Sequence, residues 1–318
     1  MRPVHPRLHT LALLALAPCA SAQTVGYASG FDVDTGTDSL YRITLETAQA
    51  TRIGPIGFLD VEGLAVHPDG SLYGAADGSN QRGGVSDVLI RIDPNTGAGN
   101  FVAPFADLAG QGPGLGGQLD YGLAASCDGR LWLSSDTLGH IWEVNRQDGS
   151  LRVVLQNGPP LSGLSSRGPY LYGVSVGATA ILYRLDTRNG QMASLGSLGL
   201  DSPIYDAGLD FDADGRLWAT LDYLTPPEGA PIVLRNELAE LDPSTGRVLR
   251  RLTISGAGSG INTVQMEGFA ISSPSCTGGG VIPPPAQSPV PVPAQGPLTL
   301  LLASLALALA GLLRLRRS

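Results

Sequence analysis

One hairpin-length unit recurs through this chain, and that recurrence limits the possible folds more than any other feature. It first reads Glu62-Gly63-Leu64-Ala65-Val66, then a Pro68-Asp69-Gly70 turn, then Leu72-Tyr73. It returns as Gly122-Leu123-Ala124 with Asp128-Gly129 and Leu131-Trp132, and as Gly163-Leu164-Ser165 with Arg167-Gly168-Pro169 and Leu171-Tyr172. The next copy is Gly208-Leu209-Asp210 with Asp214-Gly215 and Leu217-Trp218, and a half-copy, Glu267-Gly268-Phe269-Ala270, ends the series. Short apolar runs broken by Asp-Gly turns are the mark of strands joined by tight hairpins. No stretch keeps a helical period over three turns.

A second unit alternates with the first. Leu40-Tyr41-Arg42-Ile43, Leu89-Ile90-Arg91-Ile92-Asp93, Ile141-Trp142-Glu143-Val144, Leu182-Tyr183-Arg184-Leu185-Asp186 and Leu238-Ala239-Glu240-Leu241-Asp242 each lead through a turn to a further apolar run. One hairpin of each kind makes a four-stranded blade. The pattern therefore predicts an all-β chain, a β-propeller of five four-stranded blades. The spacers at 103–120 and 223–237 have room to hide strands, which makes six the alternative. The chain enters partway through a blade at Val25-Gly26-Tyr27 and ends on a lone first strand from Glu267 to Ser272. Pairing these two closes the ring and removes free sheet edges. Trp132, Trp142, Trp218 and the repeat tyrosines fall at matching positions, as core residues would.

The Gly-Leu-Ala and Pro-Asp-Gly-x-Leu-Tyr elements resemble those of bacterial propellers of the NHL-like and gluconolactonase-like type. The resemblance implies architecture; its motif is turn and core chemistry, which says little about activity. In the gluconolactonase-like family a central cation polarises a substrate carbonyl or activates water, which would make this chain a metal-dependent hydrolase or lactonase. That family adds an Asn to its axial carboxylates, and the inner-strand units here have none.

Carboxylates precede the repeated glycine in four of the five units: Glu62, Asp120, Asp206 and Glu267. In a ring these would converge on the mouth of the central channel. Oxygen ligands of this kind suit Ca²⁺ or Mg²⁺, and crowded carboxylates repel one another unless a cation or proton intervenes. The competing reading is solvated strand-entry residues that face different ways.

Other motifs read as structural. Asp210-x-Asp212-x-Asp214-Gly215 matches the opening of a calcium loop, but Leu221 stands where such a loop needs its bidentate Glu. Asp32, Asp34 and Asp38 around Gly36 form a looser cluster of the same sort. Gly173-x-Ser175-x-Gly177 has the spacing of a hydrolase elbow without the strand-to-helix turn that an elbow needs. His67, beside Pro68, is expected in an exposed turn. With His140 as its one companion after residue 22, neither a triad nor a His-rich zinc site is favoured. The glycines from 110 to 117 precede a strand and read as a connector.

The two ends read as addresses. Arg2 and Arg7, the apolar run Leu11–Ala17 and Ala20-Ser21-Ala22 make residues 1–22 a cleavable signal peptide. Cys19 allows a lipoprotein reading, against which stands Pro18 directly before it. Residues 23–276 form the propeller domain and 277–297 a Pro/Gly-rich linker. In 298–318, an uncharged 16-residue run from Leu298 to Leu313 is closed by Arg314, Arg316 and Arg317. Arginines at that end would sit in the cytoplasm and leave the propeller outside. Val290-Pro291-Val292-Pro293, Gly296-Pro297-Leu298 and the Arg cluster resemble bacterial sorting signals of the PEP-CTERM and IPTL-CTERM type. The departure is Val-Pro-Val-Pro where Pro-Glu-Pro would stand. The resemblance implies a membrane-bound processing enzyme as partner, with the protein either anchored in the inner membrane facing outward or released. A plain single-span anchor is the alternative.

Residues 23–297 carry 15 Arg and no Lys against 28 carboxylates, a net charge of −13. A nucleic-acid partner is therefore excluded, and cations or neutral ligands are favoured. Cys127 and Cys276 form a disulfide outside the cytoplasm or remain two thiols. These features together describe an exported binding or scaffold module for an unspecified extracellular ligand, with the metal-dependent hydrolase as the alternative.

Overall fold

The computed structural model describes residues 24–32, 36–77, 87–108, 119–223, 235–256 and 264–271. The signal segment, the linker, the C-terminal apolar run, Asp34, Cys276 and the Gly110–Gly117 connector lie outside these residues. The chain divides into two compact units, Met1–Gly280 and Val281–Ser318. Among the described residues no helix is long and apolar enough to cross a membrane.

The first unit is a five-bladed β-propeller. Strands β1 (Val25–Asp32), β2 (Thr37–Thr44) and β3 (Gln49–Pro55) begin the first blade. The second blade is β4 (Leu59–Val66), β5 (Leu72–Asp77), β6 (Val88–Ile92) and β7 (Gly99–Pro104). The third is β8 (Tyr121–Ala125), β9 (Leu131–Ser135), β10 (Ile141–Val144) and β11 (Leu151–Leu155). The fourth is β12 (Gly163–Arg167), β13 (Tyr170–Val174), β14 (Ile181–Asp186) and β15 (Gln191–Ser197). The fifth is β16 (Ile204–Phe211), β17 (Leu217–Tyr223), β18 (Asn236–Leu241) and β19 (Val248–Thr253). Finally β20 (Val264–Ile271) pairs antiparallel with β1, from Gly26 opposite Ile271 to Asp32 opposite Val264, and completes the first blade. The seam is tied further by Gly268 N–H donating to Ser29 Oγ at 2.9 Å, and Ile271 N–H ties β20 to the fifth blade by donating to Asp210 Oδ2 at 2.7 Å.

The repeated motifs explain themselves locally. In the outer hairpins Asp93-Pro-Asn-Thr-Gly97 and Asp242-Pro-Ser-Thr-Gly246, the Asp side chain accepts the backbone N–H two residues on, at 2.9 and 2.8 Å. The same Asp accepts the Thr hydroxyl, and its carbonyl accepts the Gly N–H. The closing glycines sit at φ 82° and 77°, which only glycine adopts without strain. Trp132, Trp142 and Trp218 are buried in the core, as their matching positions suggest. The indole N–H of Trp218 donates to Asp212 at 2.9 Å, and that of Trp132 to Ser126 at 3.1 Å.

One expectation is overturned. His67 is not an exposed turn residue; it is 5% exposed. Its Nε2 lies 3.1 Å from the Gly129 carbonyl of the next blade, and its ring packs edge-on against Tyr73. The turn itself is at the surface, but the neighbouring blade folds over its first residue.

The repeated glycines make the ring possible. Each inner strand lies against the next around the axis. A Cβ on Gly63 would be 2.9 Å from Leu123 N, on Gly163 2.6 Å from Ala207 O, and on Gly208 2.6 Å from Phe269 N. Gly122 meets the Ser162 carbonyl in the same way, and Gly268 that of Glu62. The obstacle is backbone each time, so no side chain can yield.

Gly163→Ala should therefore cost about 3 kcal/mol or more, lowering Tm by roughly 6–12 °C. Gly70→Ala is the comparison: its φ is 84° but nothing lies within 4 Å, so it carries left-handed strain alone, about 1–2 kcal/mol. Thermal unfolding of both variants checks this; a milder effect at Gly163 than at Gly70 would contradict the close-packed ring.

Candidate functional site

The glycine ring fixes what stands beside it. Glu62 on β4, Asp120 just before β8, Asp206 on β16 and Glu267 on β20 line one cavity of about 350 Å³. All four carboxylates singled out in the sequence are thus brought together. The fourth blade has Ser162 at the matching position; it is buried, and its hydroxyl donates to Asp206.

Three more carboxylates join them: Asp60, Asp136 and Asp222. Asp136 and Asp222 stand four residues after the matching aromatics Trp132 and Trp218. That shared offset was a legible signal in the repeat. Asp60 has no such repeat. It holds φ at 56° while its N–H donates to Asp38 Oδ2 at 2.7 Å. Phe31, Leu59, Tyr205 and Gln265 are the other described lining residues, and no Arg is among them.

Burial and mutual repulsion govern the charges. Burial comes first for Glu62, then the charges of Asp120, Asp60 and Asp206, and together they hold its carboxyl well above the usual range. Glu267 is raised likewise, by burial and then Asp38, Asp206, Asp60 and Asp222. Burial pushes Asp222 up to about 8, helped by Asp206, and Asp136 up to about 7, helped by Asp120. Asp206 reaches about 6, because the Ser162 hydroxyl and the Ala207 N–H partly offset its desolvation. Behind the cavity, Asp38 is raised to about 7, by burial before all.

A metal ion asks for more than convergence. Ca²⁺ takes 6–8 oxygens at 2.3–2.6 Å from one centre. Among the described residues no three His, Cys, Asp or Glu side chains sit close enough to hold one ion. The seven carboxylates surround a space rather than a point.

The other candidates are structural. Asp212 accepts hydrogen bonds from Asp214 N, Arg216 N, Arg216 Nε and Trp218 Nε1, so its oxygens serve a hairpin turn rather than a calcium ion. Asp210 accepts from Ser165, Phe211 and Ile271. Ser175 Oγ accepts the Ile181 N–H, and β14 follows it, not a helix. Neither His67 nor His140 lines the cavity. Cys127 is disulfide-bonded.

No protein-family model and no curated protein matches this sequence. Among solved structures the chain is similar to one in the crystal structure of a nidogen/laminin complex, with TM-score 0.48 and 14% identity over 79% of this chain and 99% of that one. It is also similar to Kuenenia stuttgartiensis hydrazine synthase, with TM-score 0.38 and 19% identity over 62% of this chain and 50% of that one. At these scores neither likeness carries a functional argument.

The raised carboxyls set a pH dependence. In the folded state they keep protons that an unfolded chain releases near pH 4. Their contribution to stability is complete below the unfolded pKa and is lost as pH rises through about 6 to 8. The acids held low, such as Asp186 and Asp242 at about 2, act only below that window. Tm in dilute buffer without added cations should fall between pH 5 and pH 9; a rise over that range would contradict the crowded cavity.

Proposed function

We propose that this chain is an exported β-propeller that binds a cationic ligand at the acidic mouth of its central channel, and that binding rather than hydrolysis is its work. The observation that carries this reading is the lining itself: among the described residues, seven carboxylates and no Arg surround one cavity. Opposite charge in a recessed, partly desolvated site concentrates cations and strengthens each contact. A hydrolase of the gluconolactonase type needs ligands gathered on one ion, and these carboxylates are dispersed. Export rests on the Arg2 and Arg7 signal segment. The Leu298–Leu313 run with its terminal arginines supports retention at the membrane or sorting by a processing enzyme. A Cys127–Cys276 disulfide fits an oxidising compartment. The rigid blades would hold the site in one geometry, which suits a binding or scaffold module in the envelope.

Cation-linked melting tests the reading. A ligand present at 100 times its Kd stabilises the folded state by about 2.7 kcal/mol, worth roughly 5–11 °C in a domain of this size. Wild-type protein at pH 7.5 should gain such a shift from at least one of calcium, magnesium or an organic ammonium ion. The Glu62→Gln, Glu267→Gln double variant should keep its fold and lose most of the gain. A wild-type protein that no cation stabilises would sink the proposal.

A further inference from the structure

We infer that the channel-mouth cavity receives a linear aliphatic polyamine, whose ammonium groups reach separate carboxylates while its methylene stems lie along Tyr205 and Phe31. The inference deepens the cation-binding reading and rests on it.

Four observations lead there. The first is dispersion: seven carboxylates line the space, yet no three acidic, His or Cys side chains among the described residues gather on one centre. A chain with a positive charge every few ångströms answers such a distribution; a point charge does not. The second is Asp222. The residue is 1% exposed and lines the cavity, and its Oδ1 has no hydrogen-bond partner. A buried carboxylate oxygen without a donor is costly, and an ammonium group supplies three donors and no acceptor. The third is the apolar part of the lining. Tyr205, 56% exposed, stands at the cavity with Phe31 and Leu59. Aromatic faces attract organic cations and cover methylenes, whereas a hydrated metal ion gains little from them. The fourth is size. A space of about 350 Å³ is far larger than one ion and falls within the range of small-molecule sites.

Binding would also displace protons. The raised carboxyls ionise when an ammonium group reaches them, so uptake of the ligand should release protons near pH 7.

Calorimetric titration of the full-length protein in detergent, at pH 7.5 and low salt, tests this with spermidine, putrescine, calcium chloride, magnesium chloride and hexalysine. Spermidine should bind one to one, at least about tenfold tighter than putrescine, which has one ammonium fewer. Its measured heat should change with the ionisation enthalpy of the buffer, as proton release requires. Tyr205→Ala, on the exposed rim, should fold normally and weaken spermidine about 3- to 10-fold, and Tyr205→Phe should restore most of that. Asp222→Asn should weaken it about tenfold or more. Calcium or magnesium binding one to one and tighter than spermidine would overturn the polyamine inference and leave the cation reading standing. Hexalysine binding tighter than spermidine would do the same and point to a basic peptide. Tyr205→Ala without effect would also overturn it. If no cation binds, the inference and the reading beneath it both fall.

Discussion

Five glycines at the axis are the constraint on which the rest depends. Gly63, Gly122, Gly163, Gly208 and Gly268 each face the backbone of the next inner strand at a distance that leaves no room for a side chain. A propeller of few blades has a short inner circumference, so its inner strands must pack backbone against side-chain base. Glycine satisfies that demand at one position per blade. The contact from Gly268 to Glu62 links β20 to β4, so the ring closes through the same device that repeats within it. Hydrogen bonds at the seam then fix the register of β20 on β1.

The acidic mouth follows from this crowding. Of the two residues ahead of Gly63, Gly122, Gly208 and Gly268, one packs in a blade core, as Val61, Tyr121, Ala207 and Met266 do, and the other, Glu62, Asp120, Asp206 or Glu267, faces the cavity. Carboxylates there lose solvent and meet one another, and both effects favour protonated forms. Glu62 is raised by burial and the charge of Asp120, and Glu267 by burial and the charge of Asp38. Such an arrangement opposes folding at neutral pH unless protons or cations accompany it. Binding and stability are therefore linked at one place, and a cationic ligand would relieve the strain that assembly of the ring creates.

Much of this was legible in the sequence, for a physical reason. Repeats expose turn chemistry and packing through their recurrence, so the blade count, the closing strand and the four carboxylates before Gly63, Gly122, Gly208 and Gly268 were readable. Asp136, just after β9, and Asp222, within β17, share one offset from Trp132 and Trp218, in a stretch whose aromatics mark the core. Asp60, Phe31 and Tyr205 do not recur, and only the fold brings them to the cavity. His67 was misjudged because a turn position suggests exposure, while its burial depends on a neighbouring blade. Residue type and spacing placed the acids around an axis. They did not reveal that the acids surround a volume instead of converging on a centre, since that depends on side-chain direction.

The central claim is that ring closure forces these carboxyls into shared, desolvated space. Carboxyl-carbon NMR titration of the cation-free protein tests it most directly, with Asp222, Asp206 and Asp136 assigned by Asn variants. The account predicts midpoints of about 6 to 8 for these three, while Asp186 and Asp242 on the outer turns titrate at about 2. Midpoints near 4 for all five would contradict it.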